Sequence, residues 1–436
     1  MPRKIVIIGA SFAGIGVARA LESRALDGDV EVVLIDRKPY HEYHPLLYEV
    51  ATGAANGRTE DCEKVLASGV CMNLNAFDRL LKGAHITFRC DEVVAIDRLA
   101  RQVRLRGGDA ISYDALVLAM GSETAYYNIP GLKEHAIPLK SVRDALRIRR
   151  RVLDLVDRAR RGTDQKVSIV IGGGGATGVE FAAELGNALR ELVRRGDIRS
   201  HDYEIALVEM GSRLLTMFPE RFSRTALQRL HRFGVRVLLD ASIQHVELGR
   251  AIIAPRPLKS GETREQLLCG FDGASCTIEA DSVIWTGGIQ FPVLLKDAGF
   301  SCDPKGRVIV GEDLLVAGET CVFALGDCAS LTPPRAAHPL PSLASVAVRE
   351  APVAAANVLA CLDEYPLVRF RSRTLPSLLP LGGKCAGLTY RGWTWIGRFP
   401  WLLRTGIDLK YFCSILGLVM GMRMWWRGAR MYTQND

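Results

Sequence analysis

The residues with the clearest chemical purpose are glycines. In RKIVIIGASFAG, Gly9, Ser11 and Gly14 fall at G-x-G-x-x-G spacing, with serine in the middle. A phosphate-binding turn needs small residues at these points. The first lets the chain turn sharply out of a strand, the second lets backbone approach a pyrophosphate, and the third keeps helix and strand close. Serine is a mild departure, because its hydroxyl can itself bond a phosphate. VSIVIGGGGATGVE repeats the spacing without departure at Gly173, Gly175 and Gly178. Each loop is followed by a strand ending in an acid, VEVVLID at Asp36 and YEIALVE at Glu209. An acid so placed bonds the adenosine ribose. Glu209 would repel a 2′-phosphate, so NADH is expected over NADPH, with nearby Arg213 leaving room for dual use. Two such units imply two dinucleotides, and the economical pair is FAD in the first and NAD(H) in the second.

The elements that must position these residues are also legible. Buried parallel strands are expected at Ile5–Ile8 and Val167–Ile171, each turning into a helix whose N-terminus faces an anion. YDALVLAMGS (113–122) and CVFALGDCAS (321–330) read as further strands ending in small residues. In the second, Asp327 follows a glycine at a strand's C-terminal edge, where an α/β sheet binds ligands; a helix N-cap is its structural alternative. The expected fold class is α/β, with two Rossmann-like dinucleotide-binding domains. The first is assembled from residues 1–140 and 295–375, the second is inserted at 141–294, and a tail follows at 376–436.

Bulk properties narrow the function classes. The 436 residues are 48% hydrophobic and 24% charged, which suits a globular chain of two or three domains. A net charge of +8 is too mild for a nucleic-acid binder but compatible with an anionic membrane surface. The eleven cysteines include no CxxC pair, so reduced cysteines in a cytosolic protein are expected. The N-terminal run is read as a strand and turn, not a targeting signal. No stretch is read as reaching the roughly 20 apolar residues that cross a bilayer.

The two fingerprints, LAMGS, SVIWTGG (282–288) and VFALGDCAS occur in the order seen in flavoproteins with two dinucleotide-binding domains. Within them, YHEYHPLLYEVATG (40–53) resembles the signature of type II NADH dehydrogenases, single-subunit NADH:quinone oxidoreductases that pump no protons. GRFPWLLRTGIDLKYF (397–412) is similar to that family's membrane-anchoring segment. The resemblance implies that Gly9, Ser11, Gly14, Asp36 and Arg37 hold the adenosine diphosphate half of FAD. Ala119 and Gly121 would border its phosphates, and Asp327 would bond its ribityl chain. Gly173, Gly175, Gly178 and Glu209 would hold NADH, while Gly288 lets the nicotinamide approach. Glu180 matches a family glutamate near both rings, with a role in nicotinamide placement or proton traffic. Lys384 in LGGKCAG matches a basic residue that would stabilise anionic reduced flavin. The family's quinone helix carries A-Q-x-A-x-Q; here the stretch is ASVAVRE, from Ala344, with Ser345 and Arg349 replacing both glutamines. Arg349 is thus expected on a quinone carbonyl or on a different, anionic acceptor.

Other features have blander readings. His41 and His44 have HxxH spacing without a third ligand, so loop packing or a flavin-side contact is expected and no metal. SVRDALRIRRRVLDLVDRARRG (141–162) places Val142, Leu146, Leu153 and Val156 at helical spacing and reads as a solvated amphipathic linker between domains. A disulfide reductase would carry CxxxxC after the first loop, whereas Cys62 and Cys71 are separated by eight residues. Sulfide oxidation would need paired cysteines beside the flavin, and Cys385 has no partner between Cys90 and Cys269.

The tail alternates apolar blocks with single charges. Twelve uncharged residues, Tyr411 to Met422, precede Trp425 and Trp426. Such a segment is expected to lie in the headgroup plane, with Arg404, Lys410, Arg423, Arg427 and Arg430 reaching anionic lipid. The alternative is docking on the protein's own core or on a dimer mate. The resulting expectation is an enzyme, peripheral on the cytoplasmic face of the cell membrane, with a membrane quinone, lipid and a homodimer mate as partners and no nucleic acid. A reductase with a soluble acceptor, or a flavoprotein like apoptosis-inducing factors in which NADH switches association, remain as rivals.

Overall fold

A computed structural model describes residues 2–26, 28–53, 71–74, 86–161, 166–257, 275–334 and 336–432. Cys62 and Cys269 lie outside these, as does the side chain of Arg430. The helices used below are, in chain order, α1 (Phe12–Leu26), α2 (Leu47–Thr52), α3 (Val142–Arg160), α4 (Ala176–Arg195), α5 (Glu220–Arg232), α6 (Ala344–Leu362), α7 (Arg398–Leu416) and α8 (Leu418–Tyr432). The chain forms two compact units. One comprises Met1–Glu42, Cys71–Glu123 and Ile289–Arg373; the other comprises Tyr43–Val70, Thr124–Gly288 and Thr374–Asp436.

The first unit is built on a five-stranded parallel sheet in the order Val322–Ala324, Ala115–Leu118, Arg3–Ile8, Val30–Asp36, Ile86–Cys90. Ile5–Ile8 and Ala115–Leu118 are buried throughout, the signature of strands covered on both faces. The strand that feeds Gly9 is central, and its neighbours on either side come from separate crossovers. Gly9 therefore sits at a topological switch point, where open α/β sheets bind ligands. Helix α6 packs against α1, and a Cβ at Gly16 would stand 2.6 Å from that of Ala351.

No membrane-length apolar stretch is expected from the sequence, yet α6 is long and apolar enough to cross a membrane by length and composition. Its buried Glu350 and Asn357 are hydrogen-bonded within the unit, so it serves here as a core helix. A second correction concerns cysteines. Cys321 and Cys361 form a disulfide that joins the approach to strand Val322–Ala324 with the end of α6. Spacing rules look for close pairs, and 40 residues separate these two.

The second unit repeats the plan. Its parallel sheet runs Ala136–Pro138, Ser282–Trp285, Val167–Gly172, Tyr203–Val208, Val235–Leu238, again with the loop-bearing strand central. Leu132, Val170, Val208, Ile243, Ile253 and Trp285 form part of its core. Helix α3 lies inside this unit and is not a solvated linker. Ser141 caps it through a box with Asp144, and the buried stripe is Val142, Ala145, Ile148, Arg149, Val152, Leu155, Val156 and Ala159, leaving Leu146 and Leu153 half-buried. The tail forms two helices broken at Gly417, which has φ of 75°. They pack closely, since a Cβ at Gly421 would lie 2.6 Å from backbone of Cys413.

Candidate dinucleotide-binding sites

In the first unit, Gly9 takes φ of 103°, and a Cβ there would stand 2.2 Å from the Ala119 carbonyl oxygen. A Cβ at Gly14 would lie 1.8 Å from the Gly9 carbonyl oxygen, so both positions exclude a side chain. Asp36 fixes the turn with both oxygens: Ala10 N–H donates to one at 2.7 Å and Lys38 N–H to the other at 2.9 Å. Ser11 precedes α1, at the end where unpaired N–H groups favour an anion. Arg37 follows Asp36 and makes a loose, exposed pair with Glu123 at 3.5 Å. Ala119 is buried, and its N–H bonds the Ile8 carbonyl at 2.8 Å. Gly121 has φ of 66° with open space beside it.

Asp327 accepts from the Ser122 hydroxyl at 2.7 Å, within this same unit. Beside it lies a residue that sequence reasoning passed over. Glu350 of α6 accepts the Gly326 N–H at 2.7 Å, and burial, with the Asp327 charge nearby, pushes its pKa up to about 7. The available signal was a lone acid within the apolar helix ASVAVREAP. On the same helix, Ala344 is half-buried and Ser345 exposed. Arg349 donates to the carbonyls of Arg371 and Arg373 at 3.0 and 3.2 Å and covers the Phe370 ring. His41 is buried edge-on to Phe12, and desolvation lowers its pKa to about 4, so it is neutral at physiological pH. Among the described residues no metal-binding group of three or more His, Cys, Asp or Glu occurs.

The second unit reproduces the loop bond for bond. Gly173 takes φ of 106°, and a Cβ at Gly178 would lie 1.9 Å from its carbonyl oxygen. Glu209 accepts from the N–H groups of Gly174 and Gly211, both at 2.6 Å, the counterparts of Ala10 and Lys38. Gly175 stands at the start of α4 with no atom within 4 Å of a Cβ. Arg213 gives its guanidinium to the carbonyls of Thr216 and Phe218 at 2.7 and 2.9 Å, which ties it to its own loop. A Cβ at Gly288 would stand 2.0 Å from the Tyr127 hydroxyl oxygen. Lys384 is exposed on a turn that Arg229 anchors, by bonds to the carbonyls of Leu381 and Gly382, both at 2.9 Å.

Glu180, in the second turn of α4, is half-buried, and its pKa is raised to about 8. Desolvation is the main cause; Arg404 opposes it, while Glu49 and Asp408 reinforce it. Arg404 was expected at a lipid surface. Instead it lies inside this unit, donating to Glu49 Oε1 at 3.1 Å and to the Pro45 carbonyl at 2.8 Å. Glu49 and Asp408 were not singled out from sequence. Their signal was a charge interrupting an apolar run, with Arg404 and Asp408 one helical turn apart.

Comparison with known proteins accords with this geometry. A type II NADH:quinone oxidoreductase of Staphylococcus saprophyticus is 26% identical over 375 residues, covering 84% of this chain and 85% of the relative. One from Staphylococcus epidermidis is 25% identical over 425 residues, covering 97% and 98%. Among solved structures, NDH2 from Plasmodium falciparum in complex with NADH superposes with a TM-score of 0.80 at 17% identity, over 100% of both chains. The sulfide:quinone oxidoreductase of Aquifex aeolicus reaches 0.74 at 19% identity, over 95% of this chain and 91% of that one. The profile of the family described as pyridine nucleotide-disulphide oxidoreductase matches residues 3–351. With two copies of one phosphate-loop geometry in a chain so matched, this protein belongs to the pyridine nucleotide-disulphide oxidoreductase family.

Proposed function

We propose that the protein is an FAD-dependent NADH:quinone oxidoreductase of type II. The observation that carries this reading is the repeated loop: a glycine turn, a second glycine where no Cβ fits, and an acid bonded to the same two backbone positions. The donor set suits an adenine dinucleotide in each copy, with Gly9, Ser11, Gly14, Asp36, Arg37, Ala119, Gly121 and Asp327 assigned to FAD. Gly173, Gly175, Gly178, Glu209 and Gly288 are assigned to NADH. The flavin portion is taken from residues 1–140 and 295–375, less the strand Ala136–Pro138 that joins the second unit's sheet, the NADH portion from 141–294 and the tail from 376–436. Bound there, FAD supplies two-electron chemistry, accepting hydride from NADH and passing electrons to a quinone.

The chain's own residues supply orientation and charge. Glu209 disfavours a 2′-phosphate, and Arg213, tied to the carbonyls of Thr216 and Phe218, offers that phosphate no free cation. NADH is therefore the favoured donor. Ala344, Ser345 and Arg349 are assigned to the quinone, with Arg349 keeping three of its five N–H donors beyond the two bonds to carbonyls of 371 and 373. Lys384 is assigned to charge stabilisation near the reduced ring and Glu180 to proton supply.

The tail supports peripheral attachment to a membrane, and the cytoplasmic face is the side assigned. Phe399, Leu402, Ile407, Leu418, Val419 and Trp426 are exposed on α7 and α8, and large apolar side chains left exposed in this number suit a lipid or partner contact. A homodimer mate is the second occupant carried forward.

The test is anaerobic spectroscopy. NADH should bleach the flavin, and a quinone analogue in lipid should restore its colour. Bleaching without recovery would redirect the acceptor to a soluble carrier, and a colourless protein would remove the reading altogether.

A further inference from the structure

Strand Val322–Ala324 is the edge of the first unit's sheet and only three residues long, yet it delivers the Gly326–Asp327 turn assigned to the flavin. Helix α6 packs against this strand and turn and is tied to them at two points. At one, Glu350 accepts the Gly326 N–H at 2.7 Å; at the other, Cys361 is bonded to Cys321. Glu350 and Cys361 stand about three turns apart, so they share one face of the helix. At about 1.5 Å per helical residue and 3.3 Å per extended one, the helical and strand paths between the two ties both span roughly 16 Å. The ties are therefore matched, and α6 is fixed in register with the strand. Gly326 takes φ of 72°, and a Cβ there would lie 3.3 and 3.5 Å from the Cβ atoms of Ala13 and Ala347, so the turn is also enclosed by α1 and α6.

A carboxylate only 2% exposed is costly unless its charge is answered, and this one interrupts an apolar stretch. The answer is the backbone N–H next to Asp327 in the chain. Resting on the assignment of Asp327 to the flavin in the proposed function, we infer that Glu350 is a positioning residue for FAD. It fixes the Gly326–Asp327 turn, so that Asp327, with one oxygen on the Ser122 hydroxyl, keeps the other for a ribityl hydroxyl. An ionised carboxylate is the stronger acceptor for an N–H, so the turn is held most firmly when Glu350 carries its charge. Every group named here lies in the first unit.

Flavin release from the holoenzyme reads this directly, as the rise of free-flavin fluorescence after dilution. Glu350→Leu keeps most of the volume and leaves the Gly326 N–H unpaired, so release should quicken on the order of tenfold. Glu350→Gln still accepts that N–H through its amide oxygen and should stay close to wild type at neutral pH. If Glu350 acts through Asp327, Glu350→Leu should add little on an Asp327→Ala background, whereas independent sites multiply their effects. A pH profile gives the second readout. Burial, with the Asp327 charge nearby, holds the Glu350 carboxyl up to about 7. The other groups facing it are Arg349, a permanent cation, and the Cys328 thiol, which burial pushes up to about 12. Wild-type release should therefore quicken as pH falls through about 7, when the carboxylate takes a proton, and Glu350→Gln should lack that limb. Unchanged release in Glu350→Leu, effects that multiply with those of Asp327→Ala, or a limb that survives in Glu350→Gln would each overturn the inference. Should Glu350→Leu fail to fold, the profile of Glu350→Gln decides alone. None of these readings involves NADH or a quinone, so absent turnover counts against the proposed acceptor only. A wild-type protein that holds no flavin would remove the function and the inference together, whereas yellow wild type beside an equally retentive Glu350→Leu removes the inference alone.

Discussion

Glu209 holds its loop through both oxygens, so it sets loop shape as well as charge. In Glu209→Gln one of the two bonds to backbone N–H must be lost, because the amide nitrogen donates where the carboxylate accepted. Loss of one such bond is worth about 1–3 kcal/mol, which is roughly a 5- to 150-fold rise in KM for NADH. The repulsion toward a 2′-phosphate weakens at the same time, so the ratio of kcat/KM between NADH and NADPH should narrow. An unchanged ratio would remove Glu209 from cofactor choice. Gly178→Ala makes a sharper demand, since its Cβ would meet the Gly173 carbonyl oxygen at 1.9 Å. Strain of that kind costs about 1–3 kcal/mol, to be read as a lower midpoint in denaturant, with NADH binding impaired and flavin content retained. These glycines and acids were legible in the sequence because their roles are local, set by spacing to the nearest turn. Glu350, Glu49 and Asp408 were not, because each acquires its role from groups brought beside it across long stretches of chain, as Glu49 is by Arg404, 355 residues away. Arg213 shows the same limit from the other side: its charge was plain, but the carbonyls that occupy it became visible only in the folded loop.

Strands and the helices after them were read well, because continuous apolar runs ending in glycine have few other meanings. Val30–Asp36 is a strand over the span read, and α1 begins at Phe12. Helix α3 was recognised as a helix but misplaced. Its interleaved arginines and aspartates suggested a solvated amphipathic linker between domains, whereas the helix lies within the second unit and one of the arginines, Arg149, belongs to the buried stripe. A burial decision of this kind depends on what packs opposite, here α2, and no helical period contains that information. The N-terminal cap, by contrast, is written locally. Ser141 accepts the Asp144 N–H at 3.2 Å, and Asp144 accepts the Ser141 N–H at 2.9 Å. Ser141→Ala should lower stability by about 1 kcal/mol, read as a fall in denaturation midpoint at unchanged cooperativity. If the midpoint holds, burial alone carries the helix start and the capping box adds nothing.

At the scale of the whole molecule, the chain applies one plan twice. In each unit a central strand delivers a glycine turn to a switch point, and an acid from the adjoining strand locks it. The tail is the part without a counterpart in this repetition. Its inward residues, Asp408, Phe412, Ile415 and Leu416, are buried, so α7 is anchored to its own unit whatever its outer face meets. Its outward residues continue onto α8, where Leu418 and Val419 are 66% and 58% exposed beside the turn at Gly417. Burying side chains of this size in lipid gains about 1.5–3 kcal/mol each, so Leu418→Ser with Val419→Ser should cut partitioning by at least about tenfold. The assay is co-sedimentation of holoenzyme with vesicles of phosphatidylglycerol and phosphatidylcholine. Exposed Arg423 and Arg427 add an electrostatic component, so raising salt should weaken binding to the anionic vesicles more than to vesicles of phosphatidylcholine alone. NADH oxidation with a water-soluble quinone analogue should survive the double substitution, because neither residue touches the loops or the Glu180 cluster. If vesicle binding persists while the protein changes from dimer to monomer, the exposed face belongs to a second copy of the chain and not to the bilayer.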